Sequence, residues 1–188
     1  MRLKKVFFDT EFTRIGQNTT LVSIGFISES AETLYIELSD YDRTQVTPWL
    51  ETHVMRLLHR TETVTTAQAR DRVAQWFEAI HPQGKIQLIS AGKDIDNILL
   101  YNLWAEVQPG STLKTWRDRL PAAIDHKWHL DMDTAFALFG VDPNQERAAL
   151  VESPVEGEAH HALYDARMIK ACWEKYIAPK VNSLYDRI

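Results

Sequence analysis

The feature that most constrains this 188-residue chain lies near its start, where the strand-like run Leu3 to Phe8 leads straight into Asp9-Thr10-Glu11. Side chains two apart on a strand share a face, so Asp9 and Glu11 would point together from a strand that the fold buries. Two such carboxylates repel, and burial disfavours the charge on each. The arrangement then calls for a raised pKa on one of them or a hard cation such as Mg²⁺ or Mn²⁺ between them. A solvated or capping pair has the same spacing, so the decision rests on the remainder of the chain.

Leu21 to Ile27 and Thr33 to Leu38 are short β-rich runs with polar connections, and with Leu3 to Asp9 they read as an antiparallel meander. Thr65 and Thr66 can cap a helix whose Val73, Trp76, Phe77 and Ile80 recur at spacings of three and four, and His81-Pro82-Gln83-Gly84 ends it. Lys85 to Ile89 reads as a fourth strand. Beyond Ser90-Ala91-Gly92-Lys93, Ile95, Ile98, Leu99 and Leu103 form one apolar helix face running to about Trp104. Leu130 to Phe139 is the best helical stretch in an irregular region, and the last helix spans roughly Ala162 to Ile177. The pattern is α/β.

With 45% hydrophobic and 25% charged residues, the chain fits one domain over 1–188. No window approaches the roughly 20 apolar residues of a membrane span, and Met1-Arg2-Leu3-Lys4-Lys5 lacks a secretory cleavage signal, so a cytoplasmic protein is expected. The single cysteine, Cys172, excludes an intrachain disulfide and a multi-cysteine zinc site, and it reads as a buried structural thiol. A net charge of −5 argues against a broad basic surface for duplex nucleic acid. It leaves room for a narrow site in which metal ions supply the positive charge.

Further acids fall at significant places. Asp94 and Asp96 open the helix after the fourth strand, and Asp165 sits in the first turn of the last helix behind His160 and His161. Each taken alone is an ordinary cap, because helix N-termini favour negative side chains. Together with Asp9 and Glu11 they form an ordered set that independent caps rarely produce.

On these residues the chain resembles the DEDDh exonucleases, the DnaQ-like branch of the ribonuclease H-like fold. Asp-x-Glu on the first strand matches Asp9 and Glu11 within Phe7-Phe8-Asp9-Thr10-Glu11-Phe12, and His-x-Ala-Leu-x-Asp-Ala matches His160 to Ala166. The middle acid of the family falls best on Asp96. Within the branch, Phe8-Asp9-Thr10-Glu11-Phe12, Ser23-Ile24-Gly25, Thr52-His53-Val54 and the Leu100 to Trp104 run are similar to the RNase AS-type exoribonucleases of mycobacteria. The segment from about 105 to 154 carries no recognisable match.

The resemblance implies a mixed five-stranded sheet flanked by helices, with the first three strands as an antiparallel meander and the others parallel. It also implies two divalent ions, Mg²⁺ or Mn²⁺, about 3.5 to 4 Å apart, acting on both the attacking water and the leaving oxygen. Asp9 would bridge them, Glu11 and Asp165 would hold the nucleophile-side ion, and Asp96 would bind directly or through water. His160, five residues before Asp165, is the implied general base, and an ordinary histidine pKa of about 6.5 suits that task. His161, at four residues, stands where a tyrosine subclass places its tyrosine, and is assigned a local packing role. Asp94 is assigned to capping or solvent.

The implied substrate is the 3′ end of single-stranded RNA, with DNA the alternative, adenylate the implied preference and a homodimer the implied assembly. Thr10 and Phe12 are the expected substrate contacts, Phe12 by stacking on the terminal base or else as a core residue. Lys114, Trp116, Arg117, Arg119, Lys127 and Trp128 interleave basic and aromatic side chains and read as either an RNA-binding or a solvated face. His53 reads as site or structural. Trp49, Trp76, Trp104 and Trp173 are expected in the core or an interface. Two other readings are a non-catalytic RNA-binding module and ribonuclease H itself, whose Glu comes from a helix rather than two residues after the first Asp.

Overall fold

In a computed structural model that describes residues 3–92, 94–105, 120–124, 126–152 and 154–185, strand β1 (Lys4–Phe12) occupies the interior of a six-stranded sheet of order β4-β3-β2-β1-β5-β6. β2 (Leu21–Ser28) and β3 (Thr33–Leu38) complete the antiparallel meander with β1. β5 (Ile86–Ser90) lies parallel to β1 on its other side. Two short edge strands, β4 (Thr63–Val64) and β6 (Leu130–Asp131), pair in parallel with β3 and β5. The count is therefore six rather than the expected five, since β4 and β6 add only two residues each to the edges. β6 also takes the first two residues of the stretch read as helical.

Seven helices lie among the described residues: α1 (Pro48–His53), α2 (Thr66–Ile80), α3 (Ile95–Asn102), α4 (Met132–Leu138), α5 (Arg147–Leu150), α6 (Ala162–Cys172) and α7 (Ala178–Tyr185). Thr65 starts α2 with a full capping box, its side chain accepting from the Gln68 N–H while Gln68 accepts from the Thr65 N–H. A π-helical segment, Trp173–Ile177, interrupts what the sequence suggests as one continuous last helix and joins α6 to α7.

All eight residues of β2 are buried, because the sheet is covered on both faces. Alternation along β1 divides the core. Val6 and Phe8 join Phe26, Val73, Phe77, Leu99 and Leu100 on the α2/α3 side, where Phe8 stacks on Phe26 at 5.7 Å between ring centres. Phe7 joins Met132, Phe136, Ile169 and Trp173 on the α4/α6 side. Cys172 is fully buried there, and burial pushes its thiol up to about 11, as befits packing rather than nucleophilic chemistry. Ile98 departs from the expected apolar face of α3: it is 52% exposed, while Leu99, Leu100 and Leu103 make the core contacts.

Candidate active site

The alternation that buries Phe7 against α6 also sends Asp9 and Glu11 toward that face, at the end of β1 where its parallel neighbour β5 has finished. Asp9 pairs with Gly25 of β2, and the missing side chain of Gly25 is where α6 begins. A Cβ on Gly25 would lie 2.5 Å from Ala162 C and Leu163 Cα. α6 is thereby drawn down onto the β1–β2 ladder, and its first-turn Asp165 reaches the carboxylates of β1. One carboxylate oxygen each from Asp9, Glu11 and Asp165 lies within 4.8 Å of the others. That spacing is suited to a divalent cation with oxygen ligands.

Asp96 approaches from the opposite layer. It is buried on the first turn of α3, and the Thr10 hydroxyl donates to its Oδ1 at 2.5 Å. Thr10 shares the parity of Val6 and Phe8, so the alternating strand turns Asp9 and Glu11 toward α6 and, through Thr10 on its other face, meets Asp96 of α3. Asp94 is exposed, stands at the N-cap of α3 and makes no side-chain capping bond.

Electrostatics match this crowding. Burial, then the charges of Asp96, Asp165 and Glu11, hold the Asp9 carboxyl well above the usual carboxylate range. Burial and the neighbouring Asp165 and Asp96 push Glu11 up to about 8. Burial raises Asp96 to about 7 despite the Thr10 hydrogen bond, and it raises Asp165 although the His160 N–H partly offsets the effect. Several carboxyl groups held this far up are short of positive charge, and divalent cations fit that deficit.

The two histidines part company at the start of α6. His160 adopts a left-handed backbone (φ 69°), and its N–H donates to Asp165 Oδ2 at 2.8 Å. Its ring meets Trp49 edge-on at 5.2 Å and His53 at 6.1 Å, the last two stacked on each other at 4.5 Å. Trp49 is 53% exposed and lines the cleft, which takes it out of the core: Pro48 starts α1 at the cleft rim, and Leu50, not Trp49, turns inward. His53 likewise stands beside His160. His161 turns the other way and stacks on Tyr35 at 4.3 Å, near His59. Glu158, two residues before His160, pairs with Arg56 and fastens the loop to the turn after α1.

The cleft has two lobes. One, of ≈ 540 Å³, is lined by Asp9, Glu11, His160, Asp165, Trp49 and Arg147 among others. The second, of ≈ 710 Å³, runs over Thr10, Phe12, Ile15, Ile95, Asp96 and Ile98. Phe12 packs partly against the core and also lines both lobes. Ile15, 79% exposed, extends the apolar wall. Lys114, Trp116, Arg117 and Arg119 lie outside the described residues. Lys127 and Trp128 are exposed and line neither lobe.

Two residues that line the cleft had no sequence signal strong enough to place them there. Ile98 matched a helix face too well to be read as a cleft residue. Arg147 sits in the irregular segment without recognisable motifs, yet its charge reaches Asp9, Asp96 and Asp165 and lowers the pKa of each.

A mixed sheet led by an antiparallel meander, sandwiched between helices and gathering acids at the end of its first strand, is a fold shared with solved 3′-exonuclease structures. Pop2p of S. pombe, solved in its Mg²⁺- and Mn²⁺-bound form, superposes with a TM-score of 0.64 at 13% identity, over 92% of this chain and 83% of Pop2p. A 3′-exonuclease solved for specific recognition of the 3′ end of a histone mRNA stem-loop gives 0.61 at 13% identity, covering 89% of this chain. This chain spans 61% of that protein's length. In sequence, the chain is similar to 3′-5′ exoribonucleases from two strains of Mycobacterium tuberculosis, 24% identical over 165 residues and covering 87% of this chain and 87% of each relative. No protein-family model matches. Among the described residues, no helix is long and apolar enough to cross a membrane.

Proposed function

We propose that this protein is a metal-dependent 3′-to-5′ exoribonuclease that removes nucleoside 5′-monophosphates from the 3′ end of single-stranded RNA. The observation that carries the reading is the convergence of Asp9, Glu11 and Asp165 ligand atoms within 4.8 Å, in a cleft that His160 also lines. Similarity to the mycobacterial exoribonucleases supports the choice of reaction, and the metal-bound Pop2p structure supports the choice of cofactor.

Asp9, Glu11 and Asp165, with Asp96 directly or through water, would hold two Mg²⁺ or Mn²⁺ ions. Such ions supply charge neutralisation at the phosphate and lower the pKa of water. His160 accepts the proton of the attacking water, and its backbone N–H keeps the Asp165 carboxylate oriented. Thr10 orients Asp96 by its hydroxyl, beside the expected substrate path. Phe12, with Ile15 and Ile98, offers the terminal base an apolar wall on which stacking is sequence-tolerant. The preference for adenylate and the homodimer rest on family resemblance, and sedimentation of the purified protein tests the latter.

The deciding experiment incubates the protein with matched 5′-labelled and 3′-labelled RNA and DNA of varied terminal base, with Mg²⁺, with Mn²⁺ and with EDTA. Stepwise shortening of 5′-labelled RNA from its 3′ end, dependent on metal, is the expected result. Undiminished cleavage in EDTA rejects the reading, and preferential digestion of DNA reassigns the substrate.

A further inference from the structure

We propose that Arg147 is a phosphate-binding residue, whose guanidinium, clamped by Asp133, takes a non-bridging oxygen of the phosphodiester at the RNA 3′ end. The proposal rests on the exoribonuclease reading and adds a contact from the segment in which no motif is recognisable.

Arg147, the first residue of α5, lines the same lobe as Asp9, Glu11, His160 and Asp165. Its Nη2 donates to Asp133 Oδ1 of α4 at 2.9 Å, with both side chains about a third exposed. The pair lies beside Gly92, which lines both lobes: a Cβ there would sit 3.8 Å from Arg147 Nη2 and from Asp133 Oδ2. The arginine head thus lies beside Gly92, a residue the two lobes share, on the lobe that holds Asp9, Glu11 and Asp165.

The donor inventory points to a ligand. A guanidinium carries five N–H donors in a planar fork, matched to the oxygens of phosphate. The bond to Asp133 uses one, and Nε is buried without a hydrogen-bond partner among the described residues. Nε itself is out of reach of a ligand in the cleft, so the donors offered to phosphate are the remaining N–H groups of the outer guanidinium nitrogens, on a side chain that is 33% exposed. The cleft is otherwise lined by five carboxyl groups, Asp9, Glu11, Asp94, Asp96 and Asp165, which repel a polyanion. Arg14 also lines it but is exposed, whereas Arg147 is anchored and needs little reordering to receive an oxygen. The competing role, a mere counter-charge for the neighbouring carboxylates, would place no demand on the fork.

The test compares Arg147→Ala, Arg147→Lys and Asp133→Asn with the wild type in kcat/KM on 5′-labelled RNA, in Mn²⁺ affinity by calorimetry and in thermal midpoint. Arg147→Ala is expected to lower kcat/KM roughly 10- to 100-fold, the cost of a lost hydrogen bond to a charged group. Mn²⁺ should bind as tightly as before or tighter, since a nearby cation has gone. Arg147→Lys, which keeps charge and length, should fold normally yet recover only part of the loss, and Asp133→Asn should lie between. A kcat/KM within about twofold of wild type in Arg147→Ala, full recovery by Arg147→Lys, or Mn²⁺ affinity falling in step with activity overturns the proposal. A wild-type protein that releases no mononucleotide from RNA fails differently, by removing the exoribonuclease reading on which the proposal stands.

Discussion

Gly25 of β2 stands opposite Asp9 of β1, and the space its side chain would fill is occupied by the backbone of Leu163 at the start of α6. One glycine therefore sets the distance between the two carboxylates most separated in sequence, Asp9 and Asp165. Gly25→Ala is expected to lift α6 and cost about 1–3 kcal/mol, as overpacking usually does. Mn²⁺ affinity should fall along with the thermal midpoint. A variant with wild-type affinity would show that α6 is positioned by other contacts.

The raised carboxyl pKa values make the metal-free protein sensitive to alkali. Glu11 and Asp96 ionise near pH 8 and 7 in the fold but near pH 4 to 4.5 in the unfolded chain, so the unfolded state binds fewer protons between these limits. Their contribution to stability is intact at low pH and lost as pH rises through 7 and 8. In EDTA the midpoint of thermal unfolding should drop by about 5 °C or more between pH 5 and pH 8.5. A midpoint that rises across this range would contradict the electrostatics of the site.

Asp9→Asn separates stability from activity. It removes one of several mutually repelling carboxylates, so in EDTA at pH 8 the variant should melt above the wild type. Mg²⁺ should stabilise the wild type and leave the variant nearly unchanged. RNA hydrolysis by Asp9→Asn or Asp165→Ala should be undetectable.

His160 and His161 are adjacent in sequence but face different neighbours, and their substitutions should diverge. His160→Ala is expected to slow hydrolysis about 10²- to 10⁴-fold, the usual worth of a general base. His161→Ala removes the ring stacked on Tyr35 and should act mainly on the thermal midpoint. Reversal of that order in single-turnover assays would reassign the base.

Phe12→Ala tests the apolar wall. Loss of a base-stacking face worth about 1–3 kcal/mol should appear chiefly in KM. An unchanged KM with a lowered midpoint would leave Phe12 to the core alone.

The elements legible from sequence were those whose signals are local. Alternation along Val6 to Glu11 and the capping residue Thr65 determine their structure within a few residues. The proximity of Asp9, Glu11 and Asp165 was readable only because two short motifs were both recognisable. Arg147 was not, since its place depends on α5 docking through the buried Leu150, and a lone arginine before an alanine pair has no periodicity to betray it. Ile98 misled for a related reason: hydrophobic spacing identifies a helix but not which apolar side chains the fold leaves facing a cleft. Both edge strands escaped because β4 and β6 are held by pairing with neighbours rather than by their own composition.

The order in which the chain supplies its parts has a consequence for synthesis. Every strand of the sheet has emerged by Asp131, whereas Arg147, His160 and Asp165 come later. A nascent chain on the ribosome can pair its strands while the acids of β1 still lack their partner from α6. If the protein trims RNA, the acids of β1 cannot act together with Asp165 until α6 has been made and has packed onto the sheet.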